Sequence, residues 1–305
     1  MQNSKFHSPV LVNEVIKYLV ADNAHLNDQA WIVDATLGTA GHTIEFIKLG
    51  KNVVGIEMDE EMLEVAKRRL RKACPVPDTC GAYKVFHGNF KDIEQILEKD
   101  EISNILAILI DLGVSNLQLM SEERGFSFAN RDADIDMRID KESMGIKASD
   151  LLNALREDQL VEVFLQTMEF REARVLAKKI IRGRGFKQYE TVGDFSDTCE
   201  SVVKRKGKLH PATRPFLALR MAVNSELENL EEVIPKAIKV LDKGGRLGVI
   251  SFHSGEDKIV KNAFTKSKKL NEVRILNSKP VVPDTEEIAK NPRARSAKLR
   301  IIEKS

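Results

Sequence analysis

The sequence predicts a doubly wound α/β fold with a mainly parallel sheet, into which a helical domain is inserted. Three observations carry this. Apolar strand-like runs alternate with helical periodicity through the first third of the chain, as parallel strands joined by helical crossovers require. The alternation stops near Gln118, and from there to Ala212 almost only helical spacing is found. It resumes afterwards, so residues 1–117 and 213–305 are expected to form one α/β domain around an inserted helical domain, 118–212, that faces a substrate.

In order, Ala30 to Gly38 reads as a buried strand entering a glycine turn, and Gly41 to Leu49 as a short helix stopped by Gly50. Lys51 to Glu57 is a second strand. Asp59 is placed to cap a helix in which Met62, Val65, Ala66 and Leu70 share a face and which ends before Pro75. Tyr83 to Phe86 is a third strand, Lys91 to Lys99 a third helix, and Ile105 to Ile110 an apolar strand covered on both faces. Within the insertion, Leu151/Leu152/Leu155, Leu160/Val163/Phe164 and Ala173 to Ile181 are helical. Phe216 to Val223 is a helix, and Glu226 to Leu241 another, interrupted at Pro235. Arg246 to Phe252 is the fifth strand, Glu256 to Phe264 a helix, and Glu272 to Leu276 and Lys298 to Ile302 are two late strands.

A composition of 42% hydrophobic and 31% charged residues excludes a disordered chain, and no apolar run is long enough to span a bilayer. Met1 to Pro9 has neither an apolar signal core nor transit-peptide character. Three cysteines, Cys74, Cys80 and Cys199, fit a reducing compartment and exclude a disulfide scaffold, so the expected location is cytoplasmic. The net charge of +2 hides a segregation: residues 171–220 carry 13 Lys/Arg against 5 Asp/Glu, and residues 256–305 carry 13 against 7. Two basic segments on an otherwise acidic chain point to a polyanion such as nucleic acid; ordinary solvated helix faces are the alternative.

In a doubly wound sheet, ligands sit beyond the carboxyl ends of the strands. There the sequence places Asp34-Ala-Thr-Leu-Gly38-Thr-Ala-Gly41-His42, then Glu57, then Gly88-Asn-Phe90, then Asp111-Leu-Gly-Val-Ser115. Glycines allow a tight turn and a close ligand, an acid after strand two suits ribose hydroxyls, and Phe90 suits an adenine face. The turn lacks G-x-G-x-x-G and the chain lacks a P-loop, so a pyrophosphate is poorly served, which argues against a nicotinamide dehydrogenase. S-adenosylmethionine (SAM), a nucleoside without phosphate, fits this series better.

These pieces, together with His7-Ser-Pro-Val10, Arg124-Gly-Phe-Ser-Phe128, Asp136-Met-Arg138 with Asp140, His210-Pro-Ala-Thr213, Ala218-Leu-Arg220 with Val223-Asn224, Ile250-Ser-Phe-His-Ser254 and Asn291-Pro-Arg-Ala-Arg-Ser296, run the whole length of the chain. They resemble the bacterial RsmH (MraW) family of SAM-dependent 16S rRNA cytosine-N4-methyltransferases. The resemblance implies a class I SAM-dependent methyltransferase fold, with SAM held by Ala40, Gly41, His42, Glu57, Phe90, Asp111 and Gln118. It implies methylation of the N4 amine of a cytidine in the decoding centre of small-subunit (16S) rRNA, free or in the assembled subunit. A homodimer is one assembly open to such a chain. The sequence departs from the family pattern in its glycine-poor turn, in Glu57 for a usual Asp, in Asn116, in Gly255 and in Lys258.

Cytosine's exocyclic amine is a poor nucleophile, so acceptors aimed at its N–H bonds are needed. Asp111 is the candidate catalytic acceptor, although Asp111-Leu-Gly-Val lacks the prolines and aromatic of the D/N-P-P-aromatic motif found in many amino-methyltransferases. Phe126, Phe128 and Phe252 are candidates for stacking the base, or else core residues. His253 is a second catalytic candidate, with a structural role as its alternative. Asp136, Arg138, Asn224, Arg293 and Arg295 are candidate substrate contacts. Lys178, Lys179, Arg182, Arg184, the run Lys204-Arg-Lys206-Gly-Lys208, and Arg300 read as RNA contacts. Asp132 to Asp140 alternates carboxylates as a calcium loop does, but Met137 and Ser143 stand where Gly and Glu are required, and the cysteines are wrongly spaced for zinc, so no metal is expected. Methylation of a protein or small molecule, and an RNA-binding assembly factor that keeps SAM as a structural ligand, are the alternative functions.

Overall fold

The computed structural model describes residues 9–305 apart from 24, 26, 76–79, 206 and 208. His7, Ser8, Lys206 and Lys208 therefore lie outside the described residues. The chain divides into two compact units, Met1–Ser115 with Leu227–Ser305, and Asn116–Glu226.

In chain order, the first unit contains α1 (Val12–Ile16), prolonged by a π-helical turn, then β1 (Trp31–Asp34), α2 (Gly41–Lys48), β2 (Asn52–Glu57), α3 (Glu60–Ala73), β3 (Tyr83–His87), α4 (Ile93–Lys99) and β4 (Ile105–Asp111). The second unit holds α5 (Asn116–Met120), α6 (Ala148–Ala154), α7 (Glu157–Leu165), α8 (Phe170–Arg184), α9 (Val192–Val202) and α10 (Thr213–Val223). The first unit is completed by α11 (Glu226–Val240), β5 (Arg246–Ser251), α12 (Ser254–Lys269), β6 (Val273–Ile275), α13 (Thr285–Lys290) and β7 (Lys298–Lys304).

The seven strands lie in the order β3-β2-β1-β4-β5-β7-β6. β1 to β5 are parallel, and β7 runs antiparallel between β5 and β6. This is the expected doubly wound α/β architecture with a mainly parallel sheet. Successive strand residues serve opposite faces. Ile32, Val53, Ala107 and Leu109 pack with Leu19, Phe46, Ile47, Leu63 and Leu70. Val33, Val54, Ile108 and Ile110 pack with Ile93, Leu97, Leu230, Ile234 and Phe264. Both faces are thus covered, which is why β4 reads as an unbroken apolar run.

Asp59 caps α3 by accepting from the Glu61 and Met62 N–H groups. α11 runs on through Pro235 instead of breaking there. Pro235 and Glu231 are both exposed, so the carbonyl that the proline leaves without a donor faces water, and the buried stripe Leu230, Val233, Ile234, Ala237 and Ile238 holds the helix straight through.

The insertion closes later than the sequence suggests. α10 belongs to the helical unit, where Phe216 packs edge-on to Phe128 (ring centroids 5.7 Å apart) and against Phe195 (5.1 Å). The cysteines, which the sequence excludes as a disulfide scaffold, nonetheless include one bridged pair. Cys74 and Cys80 form a disulfide across the connection from α3 to β3, with Cα atoms 6.2 Å apart, while Cys199 is free and buried. The reversal between helix and strand brings the pair into bridging range, which spacing alone does not reveal. It is one staple beside a large core and no scaffold.

Among the described residues, no helix is long and apolar enough to cross a membrane, and no cluster of three His, Cys, Asp or Glu side chains is arranged to hold a metal ion.

Candidate active site

The tips of β1, β2 and β4 carry acids because each strand ends there and the chain turns away. Asp34, Glu57 and Asp111 are the last residues of their strands. The register sets Asp34 opposite Gly55 on β2 and Leu109 on β4.

From Asp34 the chain makes a tight turn. Gly38 and Ala40 both have left-handed backbone, φ 53° and 62°, a region a non-glycine residue rarely enters. Ala40 is the N-cap of α2 without a side-chain cap, so its small side chain leaves the first-turn N–H groups uncovered. Gly41 leaves little room: a Cβ there would lie 3.1 Å from the Pro9 ring, which would have to give by a few tenths of an ångström. From α3, Arg69 donates to both the carbonyl and the hydroxyl of Thr39 and clamps the outside of the turn.

Three buried polar atoms converge on this turn without a hydrogen-bond partner in the protein: Asp34 Oδ1, His42 Nε2 and Asp111 Oδ1. His42, in the first turn of α2, approaches Asp111 Oδ2 at 3.5 Å without forming a hydrogen bond. Asp34 Oδ2 accepts from the Thr43 hydroxyl at 2.6 Å. The Asp111 N–H donates to Thr36 Oγ1 at 2.6 Å, which fixes the strand tip. Burial pushes the Asp34 carboxyl above its ordinary range against the opposing pull of His42 and Thr43, and the neighbouring Asp111 charge adds to the rise. Polar groups left unsatisfied in a dry site cost free energy, and a ligand with matching donors and acceptors recovers it.

Glu57 completes this set. Its Oε2 accepts from the Gly38 N–H at 2.6 Å and its Oε1 from the Asp59 N–H at 2.8 Å. Burial outweighs these hydrogen bonds and raises its pKa to about 7. Phe90 begins a short 3-10 turn after β3 and is half-buried against the core. The residues present fit an adenosyl ligand, with a glycine turn, a ribose-binding acid, an aromatic edge and a cluster of unpartnered polar atoms at the far strand tip.

Two sequence candidates in this unit have other work in the structure. His253 is the N-cap of α12, where its Nδ1 accepts from the Glu256 N–H at 3.4 Å and its Nε2 lies 3.0 Å from Glu256 Oε1 without forming a hydrogen bond. Arg300 is paired with Asp257, Nε to Oδ1 at 2.7 Å, and is not an open RNA contact. Arg293 and Arg295 are exposed on a 3-10 turn before β7. Phe252 is half-buried beside Gly113.

In the second unit, Gln118 is buried on α5. Phe126 is buried under the Arg124 guanidinium, 5.2 Å from the ring centroid. Phe128 is half-buried and stacks on His210 at 4.6 Å. Asp136 and Arg138 form a two-pronged ion pair at 2.7 and 2.9 Å, and Arg138 also donates to the Lys141 and Met144 carbonyls. Burial works to raise the Asp136 carboxyl, but its Arg138 hydrogen bonds and charge hold it below the usual range. Asn224 accepts from Ile139 N and donates to the carbonyls of Met137 and Arg220. Asp136, Arg138 and Asn224 are thus braces of the loop 136–144, not exposed contacts. Arg184 donates to the carbonyls of Leu152 and Leu155 at the end of α6, so it too is structural.

Asp34, which heads the strand-tip series in the sequence without a role of its own, joins this cluster in the structure. Its signal was present, since an acid ending a fully apolar strand has no structural need to be there.

Comparison with known proteins gives the family of the chain. A "Ribosomal RNA small subunit methyltransferase H" from Thermotoga neapolitana is 42% identical over 98% of this chain and 96% of its own length. One of the same description from Persephonella marina is 39% identical over 97% and 98%. Among solved structures, an rRNA methylase from Streptococcus thermophilus matches at 11% identity over 92% of this chain and 89% of its own, with a TM-score of 0.42. The model of the MraW methylase family matches residues 4–305. The chain belongs to the MraW methylase family.

Proposed function

We propose that this chain is a SAM-dependent methyltransferase of small-subunit (16S) rRNA, and that its target is the N4 amine of a cytidine in the decoding centre. The observation that carries the reading is the cluster of unpartnered buried atoms on Asp34, His42 and Asp111 beside a left-handed glycine turn. Family membership and the names of its relatives support RNA as the substrate.

In this reading Ala40, Gly41 and His42 present the uncovered start of α2 to the cofactor, Glu57 accepts from its ribose hydroxyls, and Phe90 borders its adenine. When bound, the cofactor supplies an electrophilic methyl group on a sulfonium. Asp111 Oδ1 would accept from the cytosine N4–H, which returns lone-pair density to the nitrogen, and would take the proton that the amine sheds on methylation. Positioning contributes much of the remaining acceleration. Phe252, in the same unit as Asp111, is the half-buried ring proposed to meet the base. Arg293 and Arg295 are proposed phosphate contacts.

The test is incubation with labelled SAM and unmethylated small subunits, followed by nucleoside analysis. N4-methylcytidine is expected. Label on carbon 5 of cytosine, or on protein, overturns the assignment.

A further inference from the structure

We infer that the outer face of α8 is an RNA-binding surface, gripping successive phosphates along a basic stripe and stacking an unpaired base on Phe186. This rests on the reading of the chain as an rRNA methyltransferase and deepens it by locating a surface for that substrate.

α8 has two unlike faces. Ala173, Leu176, Ala177 and Ile180 are fully buried and fasten the helix to its own unit. On the opposite side Arg171, Arg174, Lys178, Lys179 and Arg182 are exposed, and the carboxylates of the described residues form no ion pair with any of them. The one acid inside the first turn, Glu172, is already committed to Arg214, whose two nitrogens meet its oxygens at 2.8 and 3.1 Å. Residues 171, 174, 178 and 182 fall on one line of the helix, one cation per turn of about 5.4 Å over roughly 16 Å.

A solvated helix face on an ordinary surface mixes signs. Five exposed cations, with the only acid among them already paired to Arg214, repel one another, and a polyanion relieves that repulsion. Just past the last turn, Phe186 is 95% exposed and Val175 on the stripe is 45% exposed. A bare aromatic ring at the end of a line of cations is the composition by which single-stranded RNA is held, its phosphates by charge and its bases by stacking. An anionic membrane surface is the other polyanion to weigh. A helix that inserts into an interface turns its apolar face outward, whereas the apolar face of α8 is spent inside the unit, so the geometry favours RNA.

Two variants of the full-length chain test the surface, R174Q/K178Q/R182Q and F186A. All four side chains are exposed and none belongs to the proposed cofactor site. Each protein is titrated with an unmethylated 16S rRNA fragment at several salt concentrations, and its SAM affinity is measured by calorimetry as the control for folding. For the triple variant the expected result is binding weakened by about tenfold or more near physiological salt, with the slope of log K against log salt shallower by about 2. For F186A it is a loss of about tenfold with the slope unchanged. SAM affinity and kcat at saturating RNA should hold while KM rises. Unchanged RNA affinity and salt slope in a wild-type-like, SAM-binding variant overturn the surface. So does a loss of binding to phosphatidylserine vesicles alone. If the wild-type chain itself neither binds nor methylates rRNA, the proposed function fails, and the surface proposal, which rests on it, fails too.

Discussion

The two units spend their buried polar groups in opposite ways. In the first, Asp34 and half-buried Asp111 at strand tips and buried His42 in the first turn of α2 each carry a buried atom with no hydrogen-bond partner among the described residues. In the second, buried Asp136 and Asn224 and half-buried Arg138 have their hydrogen-bonding atoms engaged on one another and on the 137–144 backbone. Both sets sit in motifs of comparable rarity, and the sequence offers both as site residues. The hydrogen-bond inventory separates them: unsatisfied groups wait for a ligand, whereas satisfied groups hold a loop.

The largest expected effect breaks the first set. Asp111→Asn keeps the shape of the side chain and removes its capacity to take the amine proton. Methyl transfer in single turnover should fall by about 10²- to 10⁴-fold, with SAM and RNA affinities within a few-fold of wild type. A rate within a factor of about three of wild type would mean that Asp111 is not the acceptor.

The second set should answer through stability. Arg138→Ala strands the Asp136 carboxylate in a buried site and should cost about 3 kcal/mol, read as a lower denaturation midpoint, with SAM affinity unchanged. Replacing both partners, as Asp136→Asn with Arg138→Met, should recover much of that loss. A variant that unfolds normally yet loses RNA methylation would turn this pair back into a substrate contact and blur the contrast between the units.

Glu57 stands between the two classes, because both its oxygens are occupied by backbone N–H groups and yet burial lifts its pKa to about 7. Its folded pKa lies above the ordinary 4.5, so the folded protein holds a proton that the unfolded chain has lost. Its contribution to stability is therefore greatest below that ordinary value and declines as pH rises through about 7. Ribose hydroxyls donate to the ionised form, so cofactor affinity should move the other way, about tenfold weaker at pH 6 than at pH 8. Glu57→Gln should flatten that profile. A wild-type profile already flat between these limits would show that ribose recognition does not depend on the charge of Glu57.

How much of this was legible beforehand follows from how local each cause is. Strand tips, the glycine turn and the Asp59 cap depend on residues a few positions apart, and the structure has them where the sequence puts them. The brace at Asn224 depends on partners 85 and 87 positions away, and nothing in the motif reveals them. α10 reads as a return to the sheet because its periodicity is generic, and only its ring contacts assign it to the helical unit. The Cys74–Cys80 pair needed the reversal between α3 and β3, and Pro235 needed the knowledge that its freed carbonyl is exposed. Asp34 is legible as the first acid of the strand-tip series, but only its hydrogen bonds show that one oxygen is held by Thr43 and the other has no partner.

The smallest effect decides what His253 is for. As N-cap of α12 it accepts from Glu256 N, while Glu256 Oε2 accepts from Phe252 N at 2.7 Å, a reciprocal arrangement that organises the start of the helix. Asn is among the best N-cap residues, so His253→Asn should preserve both fold and turnover to within about twofold, while His253→Ala should lose about 1 kcal/mol of stability. An imidazole that also moved a proton would behave differently. The Asn variant would then remain folded but lose a hundredfold or more in kcat, and the alkaline rise of its pH–rate profile would vanish. Stability and rate thus separate the two roles in one pair of variants, because a cap can be replaced by any short acceptor and a titrating base cannot.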